Sequence, residues 1–181
     1  MKKKILWITE TAALLALLIT LQVLTKPAGQ LVTGSFVNAV LAISALVAGL
    51  GSGITVAVIS PVLAYLLGIA PQILTVPAIM VGNCVFVAAL YFVAGKDSKQ
   101  YVRQVAAWLS AAVAKFAVLY AVVVWLICGI FADALLASGM LKAPMLKTLP
   151  AMFSAPQLIT ALIGGAVALL ITPVLRKVLR R

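Results

Sequence analysis

The chain has 181 residues, 65% of them hydrophobic and only 9% charged; 14 lysines and arginines against 3 acids give a net charge of +11, and histidine is absent. A soluble domain carries about 25% charged and about 45–50% apolar residues, so a soluble globule is excluded and an all-α integral membrane protein is expected. Without histidine, Ser-His-Asp and Cys-His catalysis and His-ligated zinc or haem are excluded as well. Glu10, Asp97 and Asp133 lie far apart in sequence, which argues against chemistry that needs clustered carboxylates. No Gly-rich loop ending in Lys-Ser or Lys-Thr occurs, so the chain does not hydrolyse nucleotide by itself. Cys84 and Cys128 sit in apolar runs and read as small buried hydrophobes.

A bilayer core of ~30 Å takes ~20 apolar residues as a helix. The sequence supplies six such runs, at 5–24, 35–50, 54–69, 73–94, 101–131 and 157–178, expected as a six-transmembrane-helix bundle forming a single membrane domain over 1–181. Lys2, Lys3 and Lys4 precede the first run; with no small-residue cleavage pattern leading to a polar domain, it reads as a helix rather than a signal peptide. Its face carries Ala12, Ala13, Ala16 and Thr20, small residues that let another helix approach closely. Thr25 to Gln30, with Pro27 and Gly29, ends it. Gly51-Ser52-Gly53 is expected to make a tight turn between the short second and third helices, and Gly68 and Pro71 to end the third. Ala45, Gly49, Gly53, Ala57 and Ala64 continue the small-residue spacing, for packing within the chain or docking of a partner.

Pro71-Gln72 is expected to open the fourth helix and Pro156-Gln157 the last, proline being suited to a first helical turn. Two helix N-termini would then favour an anion, with Gln72, Gln157 and Thr160 at the outer mouth. The stretch from Asp133 to Pro156 is the longest connection and has the composition of a short interfacial helix.

Basic residues sort by side. Ten flank one set of helix ends (Lys2, Lys3, Lys4, Lys96, Lys99, Arg103, Arg176, Lys177, Arg180, Arg181) and three the other (Lys26, Lys142, Lys147), which places both termini in the cytoplasm. Lys115 lies halfway along the fifth long run and Glu10 inside the first; an ionisable side chain at such depth faces a cavity, a partner or, by snorkelling, an interface. Asn83 needs hydrogen-bond partners at hydrocarbon depth, whereas Asn38 is expected near the outer end of the second helix, within reach of water. Trp125 reads as an interfacial anchor or the wall of an outward pocket. Together, Lys115, Asn38, Asn83 and the two helix starts outline an outward-facing site for a small polar or anionic solute.

Two stretches, Thr9-Glu10-Thr11-Ala12-Ala13-Leu14-Leu15-Ala16-Leu17-Leu18 and Gly34-Ser35-Phe36-Val37-Asn38-Ala39-Val40-Leu41, lead to Gly49-Leu50-Gly51-Ser52-Gly53 and Ser60-Pro61. With the six-helix layout they resemble the substrate-binding S component of an energy-coupling factor (ECF) transporter. That resemblance implies a non-enzymatic subunit of the cell membrane. It would bind a vitamin or related small molecule from outside and dock through Ala12 and Ala16 onto a transmembrane scaffold subunit attached to two cytoplasmic ATPases. ATP would then be used by the partners, with no cofactor in this chain. It also implies a pocket formed by the first outer loop and the outer parts of the fourth, fifth and sixth helices, here holding Gln30, Asn83, Lys115 and Gln157. The lack of histidine and of clustered acids argues against a metal-ion substrate. A self-sufficient carrier or channel using Lys115 or Glu10 as a proton site is the alternative, and a membrane enzyme or assembly factor lacks a nucleophile–base pair.

Overall fold

A computed structural model describes residues 2–70, 72–95 and 101–179, with side chains from residue 4. Pro71, Lys96 to Gln100, Arg180 and Arg181 lie outside the described residues. Helix accounts for 88% of the described residues, and no strand is found among them. Helix α1 (Lys2–Thr25) passes through a short 3-10 turn at Lys26–Ala28 into α2 (Gln30–Ile43), which continues as a π-helical segment at Ser44–Ala48. Then come α3 (Leu50–Leu66), α4 (Thr75–Ala94), α5 (Tyr101–Leu119) with a π-helical continuation at Tyr120–Ile130, and the short α6 (Ala132–Ala137) and α7 (Met145–Phe153). Helix α8 (Ala155–Val178) follows. Among the described residues five helices are long and apolar enough to cross a membrane, Lys4–Ala28, Gln30–Ala48, Thr75–Ala94, Tyr101–Ile130 and Met145–Val178; the apolar α3 is shorter.

The expected boundaries need three corrections. Helix α2 begins at Gln30, five residues before the expected start at Ser35, because Gln30, Thr33 and Gly34 lower the local hydropathy without breaking the helix. The turn between α2 and α3 falls at Gly49, whose φ of 95° suits glycine, and Gly51-Ser52-Gly53 lies inside the first turn of α3. Gly53 serves close packing instead: a Cβ there would lie 2.7 Å from Val87 Cγ1 and 3.3 Å from the Ala45 backbone. Gly68, at φ 65°, ends the overhang of α3, with Ile69 N–H donating to Ala64 O at 2.8 Å. The fourth helix starts at Thr75, beyond Gln72, and the proline in its first turn is Pro77. Pro156 does occupy the first turn of α8.

Helix α4 packs on α5, α2 on α8, and α3 on α4, while α1 crosses α2 and α3. The main core gathers Leu18, Leu41, Val56, Phe86, Val87, Leu90 and the alanines Ala107, Ala111, Ala112, Ala161 and Ala168. Ala45, Ala57 and Ala64 are buried, so that part of the small-residue pattern packs within the chain. A second cluster, with Leu119, Val123, Leu149 and Phe153, seats α7 against the π-helical end of α5. The connection expected to carry one interfacial helix therefore carries two, α6 and α7.

Helices α2 and α8 approach to backbone contact. A Cβ on Gly164 would lie 2.4 Å from Ser35 O and 2.7 Å from Ala39 N, and backbone cannot move aside as a side chain can. Gly164→Ala is expected to destabilise the detergent-solubilised protein by about 1–3 kcal/mol through overpacking, read as a lower midpoint in thermal unfolding. Gly129→Ala, where the nearest atom is 3.6 Å away, should leave the midpoint unchanged.

Candidate substrate-binding cavity

One end of the bundle gathers the C-terminal ends of α1 and α3 with the N-terminal ends of α2, α4 and α8; the other carries Arg103 and Arg176. At the basic end Arg103 Nε donates to Val93 O and Arg176 Nη2 to Leu46 O, both at 2.7 Å, capping the terminal carbonyls of α4 and α2. A hollow lined by Gly49, Tyr91 and Arg176 lies there.

At the opposite end is a cavity of about 250 Å³. Its wall takes Gln22 and Lys26 from the α1 region, Gln30, Thr33 and Asn38 from α2, Ser60 and Pro61 from α3, Asn83 from α4 and Lys115 from α5. Met152 and Phe153 of α7 and Gln157 of α8 complete it. No Asp or Glu is among these described lining residues.

Lys115 is central. It is 3% exposed, so it does not snorkel to an interface. Its Nζ donates to Asn38 Oδ1 at 2.6 Å and to Asn83 Oδ1 at 2.7 Å, and lies 5.5 Å from the centre of the Phe86 ring. An ammonium brings three donors, and two are committed to neutral amide oxygens. Both asparagines are 1% exposed. Because the oxygen of Asn38 faces the lysine, its Nδ2 turns to Thr160 Oγ1 at 3.2 Å, and Thr160 donates onward to Gln157 O at 3.1 Å. The chain of bonds ties α2, α4, α5 and α8 together. Asn38 thus lies deep rather than at the outer end of its helix, a consequence of the earlier start of α2.

The cavity keeps unpaired polar groups. Asn83 Nδ2, Gln22 Oε1 and Ser60 Oγ are buried without hydrogen-bond partners. Such groups in an interior are normally paired, and all three residues line the same space. At the mouth, Lys26 Nζ donates to Gly68 O at 2.8 Å. Met152 O accepts from Gln30 Nε2 at 2.6 Å and Gln157 Nε2 at 3.2 Å, which holds α7 over the cavity.

Of the residues singled out in the sequence, Lys115, Asn83, Asn38, Gln30 and Gln157 line the cavity. Thr160 stands behind Asn38, not on the wall. Gln72 holds Met140 O in the α6–α7 connection, and Trp125 is 66% exposed on the outer surface of the π-helical segment. Glu10 is half-buried on α1 and does not line the cavity. Ala12, Ala13, Ala16 and Thr20 are exposed along α1, whose buried positions are Thr11, Leu18 and Gln22. Gln22, Ser60 and Pro61 are cavity residues that the sequence reading passed over; a glutamine inside an apolar run carried the same signal as Asn83. Among the described residues no three of His, Cys, Asp and Glu are grouped to hold a metal ion.

Comparison with known families fits this architecture. A sequence model described as "ECF transporter, substrate-specific component" matches residues 8–176. No curated protein and no solved structure matches the chain. With nearly its whole length covered, the chain belongs to the family of substrate-specific components of ECF transporters, membrane proteins that bind a transported solute.

Proposed function

We propose that this chain captures an anionic small molecule, a vitamin or a related compound, from outside the cell. It would pass the molecule to a module of a scaffold subunit and two ATPases for ATP-driven uptake, itself catalysing no reaction. The carrying observation is the buried Lys115 cation, held by neutral amide oxygens at a cavity with no described carboxylate on its wall. A bound anion supplies the missing counter-charge in a low-dielectric place, where charge-assisted hydrogen bonds are strong. Helices α1 to α5 and α8 make six membrane crossings in this reading, with the basic residues and both termini cytoplasmic and the cavity outward. The carrier alternative needs a proton-exchanging partner, and the direct hydrogen-bond partners of Lys115 are amides.

The small-residue face of α1 supports docking. Ala12, Ala13, Ala16 and Thr20 are uncovered within the chain, while the helix buries a narrow stripe towards α2 and α3. Small side chains allow close approach of a second membrane helix.

The isolated chain in detergent is expected to bind such a solute without partners. Thermal shift at ~100-fold excess over Kd should register about 2.7 kcal/mol of stabilisation. Lys115→Ala should weaken binding by roughly 10-fold to 100-fold, the value of a charged hydrogen bond, while Lys142→Ala, an exposed lysine off the cavity wall, should bind as wild type. Equal affinities for wild type and Lys115→Ala would remove the anion from this reading.

A second expectation concerns the α1 face. Ala12→Leu combined with Ala16→Leu should leave solute binding intact and cut uptake at least tenfold when the chain is reconstituted with its module in liposomes. Unchanged uptake would move docking to another surface.

A further inference from the structure

The polar atoms left unpaired around the cavity narrow the solute class. We propose that the cavity takes a compact monocarboxylate bearing a hydroxyl or N–H donor on its other side, and not a phosphate ester. This rests on the solute-capturing role proposed above and specifies the anion.

The donors beside Lys115 are few. Two of its three N–H groups are on Asn38 and Asn83, leaving one. Asn83 Oδ1 accepts from the lysine, so the orientation of its carboxamide is set and the unpaired Nδ2 is a donor. Asn38 Nδ2 is committed to Thr160. One ammonium N–H and one amide group match the two oxygens of a carboxylate. A phosphate ester carries about −1.5 to −2 charges and three strong acceptor oxygens, and is met by arginine forks or runs of backbone N–H groups. No arginine is among the described lining residues, and Lys26, the other lysine, is at the mouth with its ammonium on Gly68 O.

The second polar pair has the opposite need. Gln22 Oε1 on α1 is an unpaired acceptor, Ser60 Oγ on α3 is unpaired as well, and both residues line the cavity. Gln22 is 7% exposed and Ser60 1%, so water is largely kept from both. A donor on the solute satisfies the glutamine, and the serine hydroxyl adapts as donor or acceptor. The same wall also carries the apolar Val37, Pro61, Ala64 and Ile79. A volume of about 250 Å³ falls just below the ~300–1,000 Å³ of drug-sized sites, which calls for a compact molecule.

Matched pairs of compounds test this by calorimetry on the full chain in detergent. The pairs are pantothenate with panthenol and para-aminobenzoate with para-aminobenzamide, each an acid with a distal donor set against its neutral counterpart. Pyridoxal phosphate with pyridoxal represents the phosphate esters. At least one acid should bind, at least tenfold more tightly than its neutral counterpart and than pyridoxal phosphate. Gln22→Leu, which removes no hydrogen bond of the folded chain, should weaken that acid about tenfold; Asn83→Leu should bring it close to its neutral counterpart. Tightest binding by pyridoxal phosphate or by a neutral compound overturns the carboxylate assignment and leaves the capturing role standing. An acid bound equally by wild type and Gln22→Leu overturns the second contact. Binding by none of the compounds overturns the assignment, and a thermal shift of the same protein with another water-soluble vitamin would then show that the capturing role survives without it.

Discussion

Everything at the cavity end depends on one ammonium held away from water. Placing a lysine at hydrocarbon depth costs about 2.5–3.5 kcal/mol on insertion scales, and Lys115 meets that cost with two amide oxygens and an aromatic face rather than with a carboxylate. An acid in that position would complete an ion pair and leave the lysine little reason to engage a solute. Amide oxygens solvate the cation without neutralising it. The resulting field persists in the cavity, and the strongest remaining interaction available to it is with an anion from outside.

The same contact organises the helices. Asn38 and Asn83 must turn their oxygens to the lysine, which fixes where their N–H groups go: one to Thr160, the other unpaired. Asn38 reaches Thr160 because α2 and α8 approach to backbone contact. Gly34 faces Thr160, where a Cβ would lie 2.9 Å from Thr160 Cγ2, and Gly164 faces Ser35 and Asn38. Two glycines on facing helices thus set a polar contact deep in the bundle. Packing without side chains, rather than apolar burial alone, positions the site.

Much of this was legible in the sequence, and the failures share a cause. Apolar runs locate the long helices because lipid demands them, and Lys115 and Asn83 stood out as expensive residues at depth. Hydropathy misplaced the start of α2 because it scores Gln30, Thr33 and Gly34 as lipid-facing candidates, whereas Gln30 and Thr33 line a polar cavity and Gly34 packs on α8. The displaced start then put Asn38 at the membrane surface instead of beside Lys115. Gly51-Ser52-Gly53 reads as a turn in the sequence, since composition does not distinguish a glycine needed for φ from one needed for contact. Gln72 looked equivalent to Gln157 by local sequence, but the first sits ahead of Thr75 on a loop and the second in the first turn of α8. Which polar residues converge is a property of helix rotation, and six apolar helices reveal little of their rotation in their sequence.

The chain also divides its charges by task. At the basic end Arg103 and Arg176 cap carbonyls where α4 and α2 finish, and basic side chains beyond helix ends favour the cytoplasm. Among the described residues, Lys115 and Lys26 are the cations that line the cavity at the other end. The exposed small residues of α1 belong to neither set, although Gln22 on the same helix reaches the cavity from its buried stripe. In the proposed reading, orientation, solute contact and close approach to another helix rest on different side chains. Substitution at Gln22, Ser60 or Asn83 can change what the cavity accepts while Ala12 and Ala16 keep their surface. The two faces share one helix, α1, whose Leu18 is buried in the main core one turn before Gln22.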